Sequence, residues 1–166
     1  PQPPIHAALV QPAPGPRSSN LRLAKTFTER DKDQFKLDGF EFLARFFENS
    51  LDELGKRNPG VEGTFRRVDA NRFMATIYKD GQAKARCTIF IGGGFGNGIS
   101  YVNGETTGSN STNESLRVEA DDQSMYFQSM GMALIGRNNG TDQKLTPEGA
   151  AELFWGMLIA PLQQRW

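Results

Sequence analysis

RFMATIYKDGQAKARCTIFI, residues 72–91, decides the fold. Its apolar residues alternate with polar ones on both sides of Lys79-Asp80-Gly81-Gln82, a tight-turn signal, so two antiparallel strands are predicted. With Asp80 and Gly81 as a two-residue loop, Tyr78 opposes Ala83, Thr76 opposes Ala85 and Met74 opposes Cys87. These residues join Ile89 and Ile91 on one largely apolar face. The other face carries Phe73, Ala75, Ile77, Lys79, Lys84, Arg86, Thr88 and Phe90, a mixed, basic and partly aromatic set. A one-residue change in loop length exchanges the partners of every position, because strand side chains alternate with period two.

Upstream of the hairpin the period is helical. From about Asp31 to Lys56, Phe35, Phe40, Leu43, Phe46, Phe47, Leu51 and Leu54 form a stripe that predicts an amphipathic helix. Thr28 followed by Asp31 is its start signal, and Asn58-Pro59-Gly60 ends it. TFRRV, before the hairpin, is strand-like. Downstream come GGGFGNG, a short strand-like ISYV, a polar loop, SLRVEA, and MYFQSMGMALI, which reads as a strand followed by a broken one. Thr146, Pro147 and Glu148 open a last helix that runs to about Ala160, where Pro161 limits it. A long helix, five or six mostly antiparallel strands and a closing helix predict an α+β fold, with both helices on one face of an antiparallel sheet.

Residues 1–24 read as a proline-rich linker or tail, and 25–166 as one domain. Residues 1–20 hold six of the nine prolines and show neither period, a composition that favours extended, semi-rigid spacers. The start lacks the basic and apolar run of a cleavable signal peptide, and no apolar stretch is long enough for a membrane span. With 19 basic against 19 acidic residues there is no footprint for nucleic acid. A single cysteine, Cys87, suits a reducing compartment, so the expectation is cytoplasmic.

The composition also restricts chemistry. The one histidine, His6, lies in the proline-rich start, which leaves the folded part without the commonest acid–base and metal-ligand side chain. Histidine triads, Cys/His zinc sites and disulfide frameworks are thereby disfavoured. Cys87, at a core-facing position, reads as packing. A binding or assembly module is favoured over a catalyst, and no motif calls for a cofactor.

Two groups of residues are candidates for a site. Between Lys56 and Arg86 stand eight basic and three acidic residues. Arg66, Arg67, Arg72, Lys84 and Arg86 would form a basic surface for an anionic, nucleotide-like ligand, since the arginine fork matches phosphate. Gly94 and Gly96 in the adjacent glycine-rich loop would offer backbone N–H groups to it. That loop lacks the Walker and dinucleotide spacings and reads equally as a plain strand connection. The basic charges read equally as partners of the acidic residues between Glu105 and Ser124 across the sheet. Glu114, Glu119 and Asp122 are the alternative, a carboxylate set for a divalent metal in a small independent hydrolase. A hairpin turn at Asp121–Ser124 accounts for the acidic residues there more simply.

FTERDKDQF (27–35), FEFLARFFENSLDELGKRNPG (40–60), FRRVDANRFMATIYKDGQAKARCTI (65–89), NESLRVEADDQ (113–123) and LTPEGAAELFW (145–155) together resemble the domain at the carboxyl side of bacterial TIR-domain proteins. The resemblance implies a non-catalytic regulatory, ligand-sensing or assembly module attached to an upstream effector in the same polypeptide. That effector would be an NAD-consuming TIR domain of anti-phage defence. The TIR domain is not in this chain, so no NAD-cleaving glutamate is carried over. Self-association is expected, through the face bearing Phe73, Ile77 and Phe90.

Overall fold

The computed structural model describes residues 15–92, 98–109, 112–130 and 144–163. Helix α1 spans Glu29–Arg57. Thr28 caps it: its hydroxyl accepts from the Asp31 N–H at 3.0 Å, and the Asp31 carboxylate accepts from the Thr28 N–H at 2.9 Å. This reciprocal pair satisfies two N–H groups that a helix start leaves without partners. At the other end Asn58 Nδ2 donates to the Leu54 carbonyl at 2.8 Å. Phe40, Leu43, Ala44, Phe47 and Leu51 form the buried stripe, as the spacing predicts.

Seven strands follow: β1 (Val61–Asp69), β2 (Arg72–Lys79), β3 (Gln82–Ile91), β4 (Gly98–Asn103), β5 (Glu114–Ala120), β6 (Met125–Ser129) and β7 (Lys144–Leu145). They form one antiparallel sheet whose spatial order is the sequence order. Helix α2 (Pro147–Gln163) closes the described chain. The fold is α+β with both helices on one sheet face, as expected, and with more strands than the five or six predicted. The two residues of β7 are too short to show a period in sequence. The broken strand read after residue 130 lies outside the described residues.

One helix boundary differs from the expectation. Thr146 does cap α2, its hydroxyl accepting from the Gly149 N–H at 3.1 Å. The helix continues through Pro161 to Gln163 rather than stopping at Ala160. Pro161 sits so near the end that its missing N–H removes only one late hydrogen bond.

The larger correction concerns the hairpin. Asp80 (φ 53°) and Gly81 (φ 82°) form the predicted two-residue turn, both left-handed as such turns require. Tyr78 pairs with Ala83, but Ile77 pairs with Ala85, Ala75 with Cys87 and Phe73 with Ile89. Lys84 is an extra residue, a β-bulge, and beyond it every pairing shifts by one. Phe73, Ala75 and Ile77 therefore share the helix-covered face with Cys87 and Ile89, all fully buried. Met74 and Thr76 face the other way with Arg86, Thr88 and Phe90. The association surface expected at Phe73, Ile77 and Phe90 does not exist: the first two lie in the core and Phe90 is buried on the opposite face.

Just before α1, the Leu23 carbonyl accepts from Gln123 Nε2 at 3.1 Å and the Lys25 N–H donates to the Asp122 carbonyl at 2.8 Å. Asp122 belongs to the β5–β6 turn, which Asp121 organises. Asp121 Oδ1 accepts from the N–H groups of Gln123 and Ser124, at 2.8 and 2.9 Å, and Oδ2 meets Lys144 Nζ at 2.6 Å. Lys144, then these N–H groups, hold the Asp121 carboxyl well below the usual carboxylate range. A carboxyl depressed on folding stabilises the native state above its unfolded pKa, about 4, and loses that contribution as the pH falls below it. Thermal scans from neutral pH downward should therefore show a decline below about pH 4 that is shallower in Asp121→Asn. An equally steep decline in the variant would count against this role. Among the described residues no helix is long and apolar enough to cross a membrane.

A candidate ligand groove

On β3, strand β4 pairs only with Cys87–Ile91, so the first half of β3 has no strand on that side among the described residues. There the Gly104 N–H donates to the Arg86 carbonyl at 2.8 Å. The gap is bordered by the last turns of α2, and the result is an open groove of about 470 Å³. Ala83, Ala85, Met157, Leu158 and Pro161 supply apolar wall, while Lys84, Arg86 and Asn103 supply polar groups. Both Lys84 and Arg86 are exposed.

Tyr101 also lines the groove. Its ring is fully buried against Phe154, centroids 5.3 Å apart, and its hydroxyl has no hydrogen-bond partner of good geometry among the described residues. Burial, then the neighbouring Cys87 thiol, push the Tyr101 hydroxyl upward, so it remains a protonated donor. Burial likewise pushes Cys87 up to about 12, which keeps the thiol protonated and makes it packing rather than a nucleophile. A buried hydroxyl without a partner costs about 1–3 kcal/mol, so a polar atom reaching it is favoured by that amount.

The five basic candidates are not one surface. Lys84 and Arg86 meet at the groove. Arg66 and Arg67 are adjacent on β1 and so point to opposite faces. Arg66 reaches across to Met74 Sδ at 3.4 Å. Arg67 forks onto the Glu41 carboxylate at 3.1 and 2.5 Å and lies over the Phe40 ring, 5.4 Å from its centroid. That pair lowers Glu41 and raises Arg67, in both cases chiefly through the hydrogen bond. Arg72 is nearly buried on the face away from the helices. It donates to the carbonyls of Thr106 and Gly108 at 2.9 and 3.2 Å and stacks 4.3 Å from the Phe90 centroid. Its guanidinium fastens the 104–109 segment to the sheet. Gly94 and Gly96 lie outside the described residues.

The carboxylates are also dispersed. Glu114 is buried, and its Oε1 accepts from the Ser115 N–H at 2.8 Å. Glu119 pairs with Arg117. Asp122 is exposed at the β5–β6 turn. Asp121 N–H donates to the Ser124 carbonyl at 3.0 Å, which is the hairpin turn the sequence indicates. Among the described residues no three His, Cys, Asp or Glu side chains stand close enough to hold a metal ion. The metal set Glu114, Glu119 and Asp122 is thus not assembled by the fold.

Sequence reasoning missed Tyr101, Asn103 and the α2 side of the groove, which come from elements far apart in the chain. The one signal was Tyr101 itself, a hydroxyl at an inward position of β4.

A family model described as the Y4lF protein domain matches residues 62–160. The chain is 65% identical over 170 residues to "Uncharacterized protein y4lF" of Sinorhizobium fredii (strain NBRC 101917 / NGR234), an alignment covering 97% of this chain and 52% of the relative. The chain therefore spans about half the length of that curated relative. No solved structure matches it.

Proposed function

This chain belongs to the Y4lF domain family, and on that premise we propose that it is a non-catalytic regulatory module of a longer protein, sensing an anionic, nucleotide-like compound. The observation that carries the reading is the groove between β3, β4 and α2. Lys84 and Arg86, neither with an ion-pair partner among the described residues, border this groove at the open strand edge, Arg86 from the face away from the helices, while Tyr101, with its buried, unpartnered hydroxyl, lines it from the helix-covered face. Two cations next to an apolar wall suit a ligand with a phosphate at one end and a flat, weakly polar body at the other. Arg67 and Arg72 are engaged within the fold and are not contacts in this reading. The effector that such a module would regulate, a TIR-type NAD-consuming domain acting in the cytoplasm, rests on the segment resemblance alone.

Calorimetric titration with a panel of nucleotides tests the proposal. Arg86→Ala should weaken binding roughly ten- to hundredfold, the range for one charged hydrogen bond of about 1.5–3 kcal/mol. Tyr101→Phe should weaken it less, and Arg67→Ala should leave it unchanged. Heat with no nucleotide, or equal binding by Arg86→Ala, would sink the reading.

A further inference from the structure

The sheet begins at β1, which pairs with β2, and no other strand among the described residues covers its outer edge. Its regular pairing with β2 runs from Val61 to Arg67 and slips after Arg67, which puts Thr64 at the midpoint of the straight part. That segment reads Val61-Glu62-Gly63-Thr64-Phe65-Arg66-Arg67. Laid antiparallel against a second copy about Thr64, it sets Glu62 opposite Arg66 twice and Gly63 opposite Phe65 twice. Glu62 and Arg66 are both exposed and share the face away from the helices, so opposite charges would lie directly across the new ladder.

On the helix-covered face, the edge already has a place for the aromatic ring. Gly63 carries no side chain because Leu51 occupies its space: a Cβ there would lie 2.8 Å from Leu51 Cβ. Beside it runs an open groove of about 380 Å³, bounded by Asp52, Gly55 and Lys56 on α1 and by Val61 and Gly63 on β1. No residue of β2 lines it, so it opens toward the edge. The second copy's Phe65, half-buried in its own chain, would cover the glycine there, a pairing that favours edge association.

The flank of α1 has the same symmetry. This part of the helix runs antiparallel to β1, with Glu41 at the level of Arg67 and Leu51 at that of Gly63. Interpolating with the standard rises, the level of Thr64 falls between Glu48 and Asn49. Glu41, Arg45, Asp52 and Lys56 lie on one exposed stripe at helical spacing. A two-fold axis at that level sets Glu41 opposite Lys56 and Arg45 opposite Asp52 of the other copy. Two sequence patterns, one of period two and one of period 3.6, are thus self-complementary about one axis. An unrelated partner has no need to match such a palindrome. A second copy does.

We infer that the chain forms an isologous dimer through the β1 edge and the α1 flank, joining two sheets into one. The inference is independent of the ligand groove. Sedimentation of the 166-residue chain from micromolar to near-millimolar concentration should show a monomer–dimer equilibrium. Glu62→Arg and Arg66→Glu each place like charges at both crossings and should weaken the dimer about tenfold or more. Mixed in equal amounts, the two variants should associate with each other at parental strength, because each crossing then pairs Arg with Glu. Both positions are exposed, and matching circular dichroism spectra will establish that the variants fold. A parent that stays monomeric overturns the inference. So does a dimer indifferent to the single changes, or a mixture that fails to recover.

Discussion

Phe73→Ala should lower the stability of the fold by about 3–5 kcal/mol, the range for truncating a fully buried aromatic ring. Phe73 is fully buried, and its ring centroid lies 5.5 Å from that of Phe40, 5.6 Å from Phe47 and 5.3 Å from Phe65. It therefore joins two turns of α1 to the first two strands. Removing it leaves a cavity whose walls belong to a helix and a sheet held by other contacts, so collapse is limited. The measurement is the urea midpoint, with the slope m unchanged if the transition stays two-state. Phe73→Leu, which keeps much of the volume, should lose less. A loss below about 1 kcal/mol for the alanine variant would place Phe73 on an open surface, as plain alternation across the hairpin implies.

Arg72→Ala should cost about 2–3 kcal/mol, and the loss should be structural rather than a loss of binding. Its charged fork holds two backbone carbonyls of the 104–109 segment while its plane covers Phe90. Without it the segment loses its anchor and Phe90 loses its cover. Increased cleavage between residues 104 and 109 in limited proteolysis should accompany the lower midpoint. Arg72→Lys should recover only part, because an ammonium lacks the planar fork and its stacking face. A change under about 0.5 kcal/mol for Arg72→Ala would show the guanidinium to be replaceable by water, and would return Arg72 to the set of available cations.

The helices were legible because each is marked by short-range chemistry. Thr28 with Asp31, the phenylalanine spacing, and Thr146-Pro147-Glu148 are all written within a few turns of the elements they define. The turn at Asp80-Gly81 was legible for the same reason. The bulge at Lys84 was not. Both faces of the hairpin carry apolar residues, since the face away from the helices also buries Met74, Phe90 and Val102. With two apolar faces the alternation cannot tell which partner belongs on which side, and tertiary packing decides. The basic site was overread for a related reason. Neighbouring charges on a strand are sent to opposite faces, as with Arg66 and Arg67, while Lys84, the bulge residue, and Arg86 both border the groove at the unpaired half of β3. The groove draws on residues from Ala83 to Pro161, and no local pattern announces a junction of three elements.

The strand order has a kinetic meaning. Because each strand's neighbour in the sheet is its neighbour in the chain, the ladders from β1 to β6 close over short stretches of backbone, and none needs a crossover between distant segments. Loop-closure entropy grows with the length closed, so the sheet can assemble by successive hairpins, each small in cost once its predecessor exists. The hairpin at Asp80-Gly81, with the tightest connection and long strands, is the natural place to begin. The distant encounter is that of α1 with α2, at opposite ends of the described fold. Packing the two helices together therefore costs more loop-closure entropy than the pairing of any hairpin strands.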